Sequence, residues 1–316
     1  MLTGMPTMLD VAKTYGNDAV VGLIEENIQI NPEMRVFPAR SIKGTSYKTL
    51  IRTGYPTANF RRANEGAARS KSTFENRLTE CFIIDSPIAC DKQVADAWDG
   101  GAAQYQAIES SGVLEAVMRR VSKSIYYGNS ATAVSLGYGD AKGFPGFVDA
   151  YDPVDHQVDA TGTTEKTSVW AVRLGIKDIH LILGGGTVLQ MLDQWRIETV
   201  YDSGNNPFTA YTNNLAGWVG LNIGSVHSLV RIKNIGTDAG KGMTDTLGQR
   251  AIEKFPAGIV PDFFIMNRRS RRQLHESRQA VATNGGRTAN EVPLPTEIEG
   301  IPILVTDAIG NNEGNL

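Results

Sequence analysis

DKQVADAWDGGAAQYQAIESSGVLEAVMRRVSKSIYY (residues 91–127) repeats its apolar positions at steps of four and three: Val94, Trp98, Gly101, Tyr105 and Ile108. Past Gly112 the stripe resumes, slightly rephased, with Leu114, Val117, Val121 and Ile125. This is the period of one buried helix face. Unbroken, the segment predicts a helix of about 55 Å at 1.5 Å per residue, with Gly100, Gly101 and Gly112 positioned to bend it. The glycines and small polar residues of GNSATAVSLGYGDAKGFPGF (128–147) then end it.

Upstream, residues 35–77 carry ten Lys or Arg against two acids, Glu65 and Glu75. That window has a charge of about +8 in a chain whose formal net charge is −3, so electrostatic binding is regional rather than global. Its middle, TGYPTANFRRANEGAARSKS (53–72), is rich in turn formers and lies between the strand-like TSYKTLIRT (45–53) and STFENRLTECFIIDS (72–86). The pattern predicts a long two-stranded excursion with a basic tip. An isolated ribbon of two strands is marginal in water, so this one needs a surface to lie on. The first 35 residues resemble an arm of short helices, with Asp18 capping AVVGLIEENI (19–28) and Asn31-Pro32 stopping it.

Downstream of Thr161 the pattern becomes β-rich. SVWAVRLGI (168–176), DIHLILG (178–184), GWVGLNIG (217–224) and HSLVRIKNI (227–235) are candidate strands. A helix over MTDTLGQRAIEKF (243–255), a strand at FFIM (263–266), an arginine-rich helix and a last strand, IPILVTD (301–307), follow. The fold class is α+β, and the 316 residues suffice for about two domains. Neither a signal peptide nor a run of about 18 apolar residues is seen, so the expectation is a protein neither exported nor embedded in a membrane. Cys81 and Cys90 are too few for a disulfide framework and are expected to be buried thiols.

Chemistry-bearing motifs are weak. HLILGGGTVLQML (180–192) imitates a strand, glycine turn and helix, but Gly184, Gly185 and Gly186 lack the spacing of a dinucleotide fingerprint. GTDAGKGM (236–243) resembles a phosphate loop one residue short before Lys241, with Gly242 where a hydroxyl would hold magnesium. His156, His180, His227 and His275 are scattered and read as surface or satisfied core residues. The aspartates of DAYDPVDHQVD (149–159) lack the glycine and glutamate of a calcium loop and read as a solvated acidic stretch. No cofactor and no metal are expected.

DFFIMNRRSRRQLHESRQAV (262–281) places Arg268, Arg269, Arg271, Arg272 and Arg278 over about half of a helix, opposite a stripe shared by Leu274 and Val281. Three readings stay open at this point: a solvated basic face, a subunit contact pairing with carboxylates, and nucleic-acid contact. A groove-reading helix would follow another helix, whereas this one follows a strand.

In order, the N-terminal arm, the basic hairpin, the long helix ending in SIYYGN (124–129), GFPGF (143–147), GWVGLNIGSVHSLVRIKNI (217–235), FFIMNRRSRRQL (263–274) and GIPILVTDAI (300–309) resemble the major capsid proteins of tailed bacteriophages, in their podovirus-like branch. The resemblance implies a Hong Kong 97 type capsid fold with an N-arm (1–40), an E-loop hairpin with its flanking strands (41–80), and a spine helix with P-domain (81–150). An A-domain interleaved with P-domain strands would occupy 151–316. It implies a non-enzymatic protein that assembles into pentamers and hexamers of an icosahedral shell around double-stranded DNA, held without sequence specificity. Portal, scaffolding and decoration proteins are further partners, and assembly in the bacterial host cytoplasm would place the protein in the virion capsid. The basic loop, with Arg52, Arg61, Arg62, Arg69 and Lys71, would lie on acids such as Asp91, Asp96, Asp99, Glu109 or Glu115 of a neighbouring subunit. Arg268, Arg271 and Arg272 would face a subunit contact or a pore. An encapsulin-like compartment is the alternative that shares the fold, and a phosphate-binding enzyme using the 184–186 turn is a more distant one.

Overall fold

The computed structural model describes residues 31–150, 156–185, 190–285, 292–314 and 316. The arm helix expected over 19–28, residues 151–155 of the acidic stretch and Gly186 lie outside them.

Two sheets and a detached ribbon form the β framework. Strands β1 (Ala39–Ser41), β4 (Phe82–Asp91), β7 (Ile179–Gly184), β8 (Gln190–Tyr201) and β9 (Pro207–Ile223) make one sheet, ordered β1-β7-β9-β4 with β8 also on β9. The other contains β5 (Gln157–Asp159), β6 (Thr167–Val172), β10 (Leu229–Ile235), β11 (Phe263–Met266), β12 (Glu297–Ile298) and β13 (Ile301–Val305), in the order β12-β13-β11-β6-β10-β5. The ribbon is β2 (Ser46–Gly54) paired antiparallel with β3 (Thr73–Glu80) alone.

The second sheet is buried on both faces, and its sequence says why. Side chains alternate along a strand, so Trp170 and Val172 of β6 point to one core while Val169 and Ala171 point to another. Ile265 and its neighbours Phe264 and Met266 divide the same way on β11. One core lies against the first sheet and the long helix. The other lies under helices α6 (Asp245–Glu253) and α7 (Arg268–Asn284), which follow the short helices α4 (Ala131–Ser135) and α5 (Phe147–Ala150) in the chain. Strands serving two cores read as unbroken apolar runs.

The continuous helix expected over 91–127 is corrected. Asp91 caps a short helix, α2 (Lys92–Asp96), accepting the amide of Gln93 at 2.8 Å. The long helix α3 (Gly101–Tyr127) begins afresh after Gly100, where Gly101 takes φ +78°, a value that favours glycine. Its 27 residues span about 40 Å. Gly112 does not interrupt it; an added Cβ there would meet open space. Between α2, the start of α3 and the far end of β9, Cys90, Ala95 and Tyr105 form a small satellite core with Trp98, Trp195 and Tyr211. Both cysteines are buried, and burial pushes the Cys90 thiol up to about 11.

Helix α3 ends at Gly128, φ +53°, where an added Cβ would sit 2.0 Å from the amide nitrogen of Gly146. The glycines of SIYYGN and GFPGF thus pack backbone against backbone. The two tyrosines before Gly128 hold both flanks of the chain. Tyr126 donates its hydroxyl to Glu33 Oε1 at 2.7 Å, fixing helix α1 (Glu33–Val36). Tyr127 donates to Glu313 Oε1 at 2.8 Å and accepts the Gly310 amide at 2.7 Å. Glu313 Oε2 also takes the Ser168 hydroxyl at 2.5 Å and Arg231 Nη2 at 3.3 Å, while the Arg231 guanidinium lies 5.1 Å from the Trp170 ring centroid.

Removing one member of a buried charge pair leaves the other uncompensated. Glu313→Ala is expected to lower stability by about 3–5 kcal/mol, measured by urea unfolding. Glu33 behaves differently. Burial raises its pKa above the usual carboxylate range, the Asp307 charge adds to this, and the Thr306 and Tyr126 hydroxyls temper it. Its Oε2 makes no bond of hydrogen-bonding geometry. A raised folded-state pKa means that Glu33's contribution is complete below the unfolded value, about 4.3, and is lost as pH rises through the folded one. Glu33→Gln is therefore expected to gain stability relative to wild type between pH 4 and pH 8, and equal differences at the two pH values would contradict it.

Candidate assembly surface

The ribbon has two unlike faces. Tyr47, Thr49, Arg77 and Thr79 point toward the body, where Asn222 Oδ1 accepts Thr79 at 3.1 Å and Thr49 at 3.5 Å. Arg77 Nη1 donates to the Ile223 carbonyl at 3.0 Å. Only this base is seated. The opposite face carries Lys48, Leu50 and Arg52 across from Leu78, Asn76 and Phe74, and all six are exposed among the described residues. Leu50 is 65% exposed, Phe74 54% and Leu78 50%. Three large apolar side chains on one ribbon face form an exposed apolar patch rather than scattered surface residues.

Beyond the strands the tip, 55–71, is exposed throughout, with Tyr55 and Phe60 among its most exposed apolar side chains. Arg52 lies 5.3 Å from the ring centroids of both Tyr55 and Phe74. Arg61 and Arg62 fold around Glu65, through Arg61 Nη1 to the Glu65 carbonyl at 3.0 Å and the Arg62 amide to its carboxylate at 3.4 Å. Arg69 and Lys71 are exposed on the returning limb.

Asp91, Asp96, Asp99 and Glu109 stand beside residues of the satellite core, and Glu115 lies further along α3. Asp96 pairs with Lys92 and accepts the Tyr211 hydroxyl at 3.0 Å, which together hold its carboxyl below the usual range. Asp99 is exposed and Glu109 half-buried, while Glu115 pairs with Arg119 at 3.1 Å. Asp91 is occupied in part as the cap of α2.

On α7 the arginines separate. Arg278 makes a two-point contact with Asp245, at 2.8 and 2.6 Å, and also donates to the Glu297 carbonyl. Arg269 reaches Glu165, and Arg271 Nε donates to the Pro295 carbonyl at 2.9 Å. Arg268 and Arg272 are exposed, with longer contacts to Asp307 at 3.4 Å and Glu276 at 3.5 Å. The expected stripe of Leu274 with Val281 is corrected: Leu274 is buried, but Val281 is 71% exposed, because the end of the helix runs past the core.

Among the described residues neither glycine-rich loop shows a phosphate site. After β7 the next described element is strand β8 rather than a helix. In the 236–243 loop, Asp238 accepts the amides of Thr163 and Thr164 and both hydroxyls, which holds its carboxyl far below the usual range. Lys241 is spent on the Thr161 hydroxyl at 2.6 Å. Among the described residues no three His, Cys, Asp or Glu side chains could hold a metal, and no helix is long and apolar enough to cross a membrane. His180 departs from the satisfied core residue expected: it is buried with neither ring nitrogen reaching hydrogen-bond geometry, the Gly175 backbone acting on it only weakly. Reading by charge missed Leu50, Phe74, Leu78 and His180. The alternation of Lys48, Leu50 and Arg52 carried the signal for the exposed face, but nothing in the sequence marks what His180 lacks.

The two-core α+β body with its projecting ribbon has the fold of Hong Kong 97 type phage capsid proteins. A chain of the bacteriophage Epsilon15 particle is 20% identical, with TM-score 0.69 over 100% of this chain and 98% of that one. The bacteriophage JBD30 capsid protein follows at 13% identity and TM-score 0.49 over 93% and 94%. The SrpI encapsulin of Synechococcus elongatus gives 8% and 0.49 over 72% and 95%. No curated protein matches the chain. The family model described as major capsid protein GP7 matches residues 14–316, and the chain belongs to that family. It is a structural protein of the virion capsid of a tailed phage, and not an enzyme.

Because Arg278 is tied to Asp245 and Arg272 is exposed, their alanine variants should differ. Arg278→Ala is expected to cost about 1–2 kcal/mol in chemical unfolding, and Arg272→Ala less than about 0.5 kcal/mol.

Proposed function

We propose that the chain forms pentamers and hexamers of an icosahedral shell around double-stranded DNA, with the ribbon of each subunit lying on its neighbour. In this reading residues 1–40 are the N-arm, 41–80 the E-loop, 81–150 the spine helix with P-domain, and 151–316 the A-domain interleaved with P-domain strands. Assembly takes place in the bacterial host cytoplasm, and portal, scaffolding and decoration proteins complete the particle. The observation that carries the reading is the ribbon's outward face, where Leu50, Phe74 and Leu78 stand exposed beside Lys48 and Arg52.

Two kinds of interaction would seat it. Burying a large apolar side chain is worth about 1.5–3 kcal/mol, and the exposed triplet supplies three. Arg52, Arg61, Arg62, Arg69 and Lys71 would meet Asp91, Asp96, Asp99, Glu109 or Glu115 of the adjacent subunit. Each exposed pair contributes only about 0–1 kcal/mol, but closure of a shell engages all copies together. Arg268 and Arg272, and less so the tethered Arg271, supply a second basic contact between subunits.

Leu50→Asn with Leu78→Asn, and separately Arg61→Glu with Arg62→Glu, are expected to leave subunit stability within about 0.5 kcal/mol of wild type while sharply reducing shell yield in electron micrographs. Full yield from both double variants would overturn the ribbon's role. Added salt should weaken assembly of the wild type more than that of the arginine variant.

A further inference from the structure

The seat of the ribbon leaves three deeply buried polar atoms short of hydrogen-bond geometry, Nδ1 and Nε2 of His180 and Nδ2 of Asn222, although the Gly175 backbone lies near enough to His180 to act on it. Buried polar groups are nearly always paired, so three in one contact require a cause. His180 and Asn222 stand directly opposite each other on β7 and β9 and form a polar plate under the ribbon's base. Asn222 uses its oxygen on Thr49 and Thr79. His180 meets the edge of Tyr47, 6.1 Å between ring centroids. Tyr47 is in turn covered by Arg40, whose guanidinium lies 5.1 Å from its ring and donates to its hydroxyl at 3.0 Å.

We propose that His180 makes this seat a proton-operated hinge: the neutral imidazole lets the ribbon's base lie on the plate, and the imidazolium lifts it. The inference goes beyond shell building and does not depend on it, because it concerns the single subunit. Among the described residues, an imidazolium in this place would be buried beside the Arg40 cation with no counter-ion closing on it. The charged and titratable groups on the packed elements are Arg40 from β1, Tyr47 from β2 and Arg77 from β3, the last donating to the Ile223 carbonyl. From β9 comes the neutral Asn222. The carboxylates are turned elsewhere. Asp178, ahead of β7, is held by Arg173 at 3.5 Å and Ser228 at 2.8 Å. Glu75 lies farther out on the same ribbon face, exposed, and Glu80 is on the opposite face.

Desolvation, with Arg40 adding to it, holds His180 below its ordinary pKa, and the Gly175 backbone opposes this in part. Once the ribbon lifts, the ring meets water and returns toward about 6.5. The lifted form therefore binds the proton more readily. The seat is intact above that value and is lost progressively as pH falls through it toward the depressed one. Lifting also gives water access to the unpaired amide of Asn222.

Hydrogen exchange on the full-length subunit, kept dilute enough to sediment as a monomer and corrected for the intrinsic pH dependence of exchange, tests the hinge. Residues 46–54 and 73–80 are expected to lose protection relative to β6 between pH 7.5 and pH 5, by about tenfold for each pH unit separating the two pKa values. His180→Gln should abolish the change. Arg40→Gln, at an exposed position, should diminish it by removing the like charge, and it serves if the His180 variant does not fold. Ribbon protection that tracks β6 at every pH would overturn the proposal. So would an acid response that persists in His180→Gln or is undiminished in Arg40→Gln.

Discussion

Two neighbouring phenols at the end of one helix hold the subunit together. Successive helix positions are about 100° apart, so Tyr126 and Tyr127 face different directions from the last turn of α3. One takes the carboxyl of Glu33 from the segment before the sheets, and the other takes Glu313 from the segment after them. Sequence separations of 93 and 186 residues are closed within a single helical turn. Because Glu313 also neutralises Arg231, which stacks on Trp170, the same point reaches the centre of the second sheet. Polar anchors of this kind define one register, whereas apolar contacts alone tolerate sliding.

A body fixed in this way can carry an incomplete element. The ribbon contributes no core residue of its own; its inner face rests on polar groups and its outer face is left apolar and bare. In an isolated domain that would be an aggregation hazard. In the proposed shell it would be stored association energy, released when another copy supplies the missing surface. In that arrangement charge pairs on the tip would guide approach and register, and the apolar triplet would supply attraction that salt does not screen.

Much of this was legible beforehand. The expected strands at 168–176, 178–184, 227–235, 263–266 and 301–307 coincide with β6, β7, β10, β11 and β13, because two-faced burial gives short, unbroken apolar runs. The ribbon was readable from turn residues between two β-prone stretches. The break before α3 was hidden, since Val94, Trp98 and Tyr105 keep helical spacing across it while serving the satellite core. The hairpin of β8 and β9 was missed at its outer end. Met191, Trp195, Ile197 and Tyr201 alternate with polar residues there and the turn DSGNNP (202–207) follows, so the signal existed, but charged residues within the strand diluted it. The unpaired atoms of His180 and the pairing of the tyrosines depend on residues more than 40 positions away, which no local pattern encodes.

The 82 residues between Arg231 and Glu313 impose an order of events during synthesis. Ribosomes add about 5–20 residues per second, so the guanidinium emerges some 4–16 seconds before its carboxylate exists. Until then β10 carries a cation that cannot be interred beside Trp170 without a large penalty. The nascent polypeptide is thereby kept from closing its second sheet early, and neighbours on one polysome meet as unfinished chains rather than as competent building blocks.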